Sequence, residues 1–310
     1  MISHTPSSRH RLAHALVFTA TSLMLASGYS HAGVPVDEKT VQPAAVALGD
    51  LDLDNLFSTG WDETWAKHPH PGAPDLSLLR VQNNFLEREL RFDYFYQDNL
   101  EAAKVANLHF FDTLVAWGLN RRLMLGVIGS GQWNDNRVGE SKDGIGGAVL
   151  ARLALIDKDS SSLAVNARVT APDHDIGETL TTIAVGPAGW QDLSPFGLPR
   201  TGLYWHVQEE GYVGPAAMGT RRNALTYDLS LAKTWSAPDA LVGNFSTFVE
   251  AFARTDLDGD RSGRSALSLT PGVRLTFDHG KHVVLAGVDI PLGEYRVADA
   301  TFRLTYIYNF

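Results

Sequence analysis

The 310 residues carry a formal net charge of −9, from 26 Lys and Arg against 35 Asp and Glu, and contain no cysteine. That acidity argues against nucleic acid as a partner, and the missing thiols exclude disulfides, cysteine nucleophiles and thiolate metal sites. Length alone fits either a large soluble core or a barrel in lipid.

The chain opens with a basic patch, Arg9-His10-Arg11, then an apolar run from Leu12 to Leu25, then the small-x-small triplet Ser30-His31-Ala32. This order reads as a secretory signal peptide over residues 1–32, cut after Ala32. The apolar run is shorter than the roughly 18 to 20 residues of a membrane helix, and no cysteine follows that could take a lipid anchor. Removing the peptide leaves 24 basic residues against 35 acidic, a formal charge of −11. Past residue 33 no apolar run approaches a membrane helix; Val283 to Val288 is among the longest.

Residues 33–77 lack alternation and are rich in Gly, Pro and acids. Three readings stay open for this leader. Asp54 to Leu56 with Trp61 and Trp65 would suit a short amphipathic helix at the membrane surface, the segment would suit a hatch in a lumen, or it is a disordered periplasmic leader.

From residue 78 to 310 the pattern changes to period two. Leu90, Phe92, Tyr94 and Tyr96 oppose Glu89, Arg91, Asp93 and Phe95; Leu225, Tyr227, Leu229 and Leu231 oppose Thr226, Asp228, Ser230 and Ala232. Segments of about ten residues between turn signals match tilted strands crossing a membrane. The expected strands are 88–97, 104–119, 122–133, 144–156, 162–171, 178–186, 201–213, 223–235, 244–255, 265–277, 281–290 and 300–310. The fold class is therefore all-β, a single antiparallel up-and-down transmembrane barrel of about 12 strands, with 10 as the alternative because residues 172–220 are broken by Pro and Gly. Pro271 lies inside an expected strand and predicts a bulge or bend. Short links at Asn120-Arg121, Asp157 to Ser161 and Asp278 to Gly280 are expected as periplasmic turns, with outer loops at 134–143, 256–264 and 291–299.

The last strand, Thr301 to Phe310, places Phe302, Leu304, Tyr306, Tyr308 and Phe310 on one face, with Ile307 as an apolar intruder on the polar side. A C-terminal strand ending in Phe resembles the signal by which bacterial outer-membrane barrels are recognised and inserted. It implies the barrel-assembly machinery as a partner through Phe310, alongside outer-membrane lipid and lipopolysaccharide.

Charges facing lipid near the midplane cost about 2 to 4 kcal/mol, so those on the strands are expected to point inward. These are Glu89, Arg91, Asp93, Asp112, Arg152, Arg168, Asp228, Glu250, Arg254, Arg274 and Arg303, five acids and six arginines with no lysine. Phe95, Phe110, Phe248 and Phe252 share the inward face. Either opposed rows of charge hold a field across open water, or the groups pair and close the lumen. About 8 strands give a filled interior and 16 to 18 an open channel, so twelve points to a narrow selective pore.

The segments 88–97, 117–127, 144–155, 248–254, 269–277 and 288–293 together resemble a family of outer-membrane porins linked to the meta-pathway of phenol degradation. That resemblance implies a barrel of this size passing small hydrophobic or aromatic solutes. The alternatives are a barrel hydrolase or a plugged structural barrel. Asp173-His174-Asp175 is the best catalytic candidate, and His109 lacks a neighbouring serine. Asp256, Asp258 and Asp260 offer oxygen ligands at a spacing unlike an EF-hand, and His68 and His70 are a weaker metal candidate. No catalytic residue, cofactor or metal site is assigned.

Overall fold

The computed structural model describes residues 48–310 except 69, 101–104, 137–140, 172–180, 214–222, 237–241, 260–261, 294 and 297. The expected signal peptide, the early leader and Asp173-His174-Asp175 lie outside the described residues. Leu48–Phe310 form one compact unit.

Twelve strands close into one antiparallel barrel in which every strand pairs with its sequence neighbours and β1 pairs with β12. They are β1 Arg88–Leu100, β2 Val105–Gly118, β3 Leu123–Asn136, β4 Ser141–Lys158, β5 Ser161–Ala171 and β6 Thr181–Asp192. The second half is β7 Thr201–Val213, β8 Ala224–Ser236, β9 Val242–Asp256, β10 Ser265–Phe277, β11 His282–Leu292 and β12 Ala300–Asn309. Phe310 follows the last strand, and its N–H donates to the Arg88 carbonyl at 3.1 Å across the seam. Among the described residues no helix is long and apolar enough to cross a membrane.

Alternation decides which face meets lipid. Val115, Val127, Val149, Leu229 and Leu304 are exposed outward, while Ala116, Asp228, Ser230 and Thr305 between or beside them are buried. An apolar band facing out on a closed sheet leaves no unpaired edge, the arrangement hydrocarbon requires. Aromatic rings mark both ends of the band. Trp117 packs on Phe310 at 5.4 Å toward the end with short turns, and His109 stacks on Trp133 at 4.7 Å toward the other end. His109 Nδ1 also lies 2.8 Å from the Tyr94 hydroxyl, so it belongs to this outer girdle.

Two local expectations are corrected, while the first strand starts at Arg88 as expected. The expected strand stops at 186, but β6 continues through Pro187, opposite Val165, to Asp192, with 178–180 outside the described residues. At Pro271 the register with both neighbours continues unchanged, since loss of one N–H removes a ladder bond without inserting a residue. The shift in that hairpin comes instead between Leu275 and Phe277.

Residues 48–64 make turns, not the amphipathic helix, and join the barrel by two isolated bridges, Leu51 to Asp157 and Thr64 to Asn120. Arg122 nails this region down. The β4–β5 pairing skips Leu155, and its carbonyl accepts from Arg122 Nη1 at 3.0 Å. The same guanidinium donates to Ala154 O, Thr59 O, Asp52 O and Asn55 O at 2.9 to 3.2 Å, and also to Asn55 Oδ1.

Candidate functional site: a chain segment inside the barrel

Residues 73–87 touch strands on opposite walls of the barrel, which places them in its lumen. Ala73 N–H donates to Asp192 Oδ1 at 3.0 Å and Pro74 O accepts from the Tyr204 hydroxyl at 2.6 Å, both near the short-turn end. The segment then rises past mid-depth to Arg80, turns, and descends through Asn84, which bonds Ser162, to enter β1 at Arg88.

Its apolar side chains build a core that an open lumen would lack. Leu76, Leu78, Leu79, Val81 and Phe85 pack with Trp190, Tyr204, Phe248, Val283, Leu285 and Ile307. The wall is shaped for them: a Cβ added to Gly287 would lie 2.5 Å from Leu79 Cδ1. Ile307, the intruder on the polar face, is 1% exposed because this segment covers it.

The inward charges pair around the same segment. Arg91 Nε binds Asp93 at 2.7 Å while its Nη2 donates to Leu78 O at 3.0 Å, and Asp93 also accepts from Thr305 Oγ1 at 2.5 Å. Arg152 donates to Asn166 at 2.7 Å and to Phe85 O at 2.5 Å. Glu250, fully buried, accepts the backbone N–H of Arg80 at 3.0 Å and of Val81 at 3.5 Å. Arg303 grips Asp289 at 2.8 Å, and Asp289 also takes Arg80 Nη1 at 2.5 Å. Asp228 is buried within Coulombic reach of Arg80, Glu250 and Arg303. Arg274 and Glu89 are buried in reach of each other and of Glu87.

Toward the long-loop end the charges are less covered. Glu210 takes Arg254 at 3.1 Å and Arg168 at 3.6 Å, and Asp112 accepts Ser130 Oγ at 2.5 Å. Phe95 and Phe110 stack at 5.7 Å, with the Arg303 guanidinium 4.4 Å above Phe95. Arg80 lies 3.5 Å above Phe252. Opposed rows of charge facing across water are therefore not the arrangement here: Arg91, Arg168, Arg254 and Arg303 hold carboxylates directly, Arg152 and Glu250 bind the inserted segment's backbone, and Asp228, Glu89 and Arg274 are buried with polar atoms that make no hydrogen bond among the described residues.

All eleven expected inward charges lie in this system, but its organising members do not come from the strand pattern. Arg80 precedes the first strand, Glu210 falls in the stretch broken by Pro and Gly, and Asp289 hides in an apolar run. For Asp289 the signal was its parity with Val283 and Leu285. Asp258 on the acidic turn accepts Asn223 N and Nδ2 at 2.8 Å, a structural use; Asp260 lies outside the described residues.

No family model and no curated protein matches the chain. Among solved structures it is similar to one titled KdgM porin, at 12% identity over 72% of this chain and 99% of that one, with a TM-score of 0.43. It is also similar to LpxR from Salmonella typhimurium (8% identity, 72% and 100% covered, TM-score 0.43) and to a bacterial polysaccharide outer membrane secretin (9%, 73% and 99%, TM-score 0.42).

Proposed function

We propose that this chain is an outer-membrane porin whose lumen is closed by its own residues 73–87 and opens when that segment is displaced. The carrying observation is the composition of the contact. A permanent core needs only the apolar cluster, yet the tip around Arg80 adds a buried ion pair to Asp289 and backbone bonds to buried Glu250, and such a pair's net stabilisation is small beside its desolvation cost. Such contacts favour one closed arrangement without making it overwhelmingly stable, as a gate requires.

The solutes are small. Toward the long-loop end, the Phe95–Phe110 stack on β1 and β2 and the Arg168–Glu210–Arg254 cluster on β5, β7 and β9 supply an apolar and a charged surface, suited to compounds with an apolar ring and a polar edge. In this reading the short-turn end is periplasmic, the apolar band faces outer-membrane lipid and lipopolysaccharide, and Phe310 serves the assembly machinery.

Single-channel recording of the purified full-length protein in planar bilayers tests the proposal. It expects brief, infrequent openings in the wild type and a higher open fraction in Arg80→Ala. Silence in both would remove the pore reading.

A further inference from the structure

One side-chain cluster plays no part in the luminal network. His68 and His70 come from the N-terminal segment and Asp157 from the end of β4, and one ligand atom from each lies within 4.8 Å of the others. Both imidazoles are 2% exposed and the Asp157 carboxylate 20%. The three border a cavity of about 20 Å³, room for a single ion or water.

His70 points to an ion. Its two ring nitrogens are buried, and neither makes a hydrogen bond of ordinary geometry among the described residues, whereas buried imidazoles usually make at least one. Nε2 lies 3.5 Å from Asp157 Oδ1, long for a hydrogen bond. It is close to the separation of two ligands each about 2.0 to 2.1 Å from a shared tetrahedral ion. Nδ1, on the far side of the ring, faces Asp75 Oδ1 at 3.8 Å, where a carboxylate would orient a ligating histidine, and Lys67 holds Asp75 at 2.7 Å. Trp190 at 4.6 Å and Phe85 at 5.6 Å fix the plane of the ring.

The donor set selects the metal class. Two imidazole nitrogens with one carboxylate suit Zn²⁺ and its neighbours, while Ca²⁺ and Mg²⁺ prefer all-oxygen shells. Asp50 stands 3.8 Å from His68 Nε2 and Asp159 3.9 Å from its Nδ1, but their carboxylates are 55% and 72% exposed.

We propose that His68, His70 and Asp157 bind a zinc-class divalent ion, with water completing its shell, and that the ion fastens the foot of the luminal segment to β4. The fastening rests on the gate reading above; the binding does not.

Full-length protein folded in detergent, freed of any purification tag, is equilibrated with zinc chloride and desalted, and its metal is counted by mass spectrometry. The wild type is expected to keep about one zinc ion per chain beyond what His68→Ala/His70→Ala keeps, with Asp157→Asn weakening binding roughly tenfold or more. The Asn variant preserves size, and heat-modifiable gel migration verifies that each barrel is folded. Equal retention by all three, or none by any, overturns the site, as does loss of the ion in Asp50→Asn/Asp159→Asn with retention in Asp157→Asn. In bilayers, a chelator is expected to raise the opening frequency of the wild type and leave Asp157→Asn unchanged. Zinc that binds without this effect overturns the fastening, whereas a barrel silent under every condition counts against the gate.

Discussion

Arg80, on the luminal segment, and Asp289, on β11, meet at 2.5 Å, and Asp289 is simultaneously held by Arg303 at 2.8 Å. One carboxylate thus joins a cation on the luminal segment to a cation on the adjacent β12. Removing Arg80 takes away the guanidinium that pairs with buried Asp289 and lies within Coulombic reach of Asp228 and Glu250. Arg80→Ala is expected to lower stability by about 3 to 5 kcal/mol, measured by urea unfolding in detergent, because the orphaned carboxylates remain buried. A change under about 1 kcal/mol would mean that water already reaches the pair.

Ile307 and Leu304 lie on the same strand but face different solvents, one 1% exposed toward the inserted segment and the other 50% exposed on the outside. Ile307→Ala is expected to cost about 2 to 5 kcal/mol through a cavity in the luminal core. Leu304→Arg is expected to cost about 2 to 4 kcal/mol by placing charge in hydrocarbon. Folding into lipid vesicles separates them: the arginine penalty appears in bilayers and shrinks in water-exposed conditions, while the alanine penalty persists in both.

Arg122 offers a planar fork to carbonyls from β4 and from the turns of 48–64, including Leu155 O and Thr59 O. Lysine keeps the charge but presents a single rotating ammonium, so it cannot serve those acceptors together. Arg122→Lys is expected to free residues 48–64 for limited proteolysis while the barrel ladder stays intact. Unchanged digestion would show that charge, and not the fork, holds the region.

Glu63 is clipped to Arg121 at 2.7 Å and accepts the Gly60 N–H at 3.1 Å. The Arg121 hydrogen bond holds its carboxyl below the ordinary 4.5, outweighing burial. A carboxyl lowered on folding contributes above its unfolded value and loses that contribution as pH falls below it. Hydrogen-exchange protection of Gly60 and Arg121 is therefore expected to fall selectively below pH 4.5, and Glu63→Gln should show the reduced protection at neutral pH. Protection constant down to pH 3 would count against the clip.

The wall of the barrel was readable because lipid imposes a strict rule on each strand, with Leu229 and Asp228 sorted by parity alone. The filling is not readable, since residues 73–87 follow no period and their partners are scattered over most of the strands. Ile307 carried the one visible hint: an apolar residue on the wet face makes sense only if something apolar sits opposite. Arg122 gave no hint, because a burial reached through backbone carbonyls leaves no trace in side-chain pattern. Pro187 mimics a strand end in the sequence, yet β6 runs on past it to Asp192 because pairing with β5 tolerates its missing donor.

The central claim is that residues 73–87 are the gate. Because the chain has no cysteine, Leu79→Cys with Gly287→Cys would introduce its only thiols, at a contact where a Cβ on residue 287 meets the Leu79 side chain. Single-channel conductance of this variant, recorded oxidised and then after adding reductant, tests the claim most directly. The account predicts a closed barrel while the disulfide is intact and openings once it is reduced; openings of equal size and frequency in both states would contradict it.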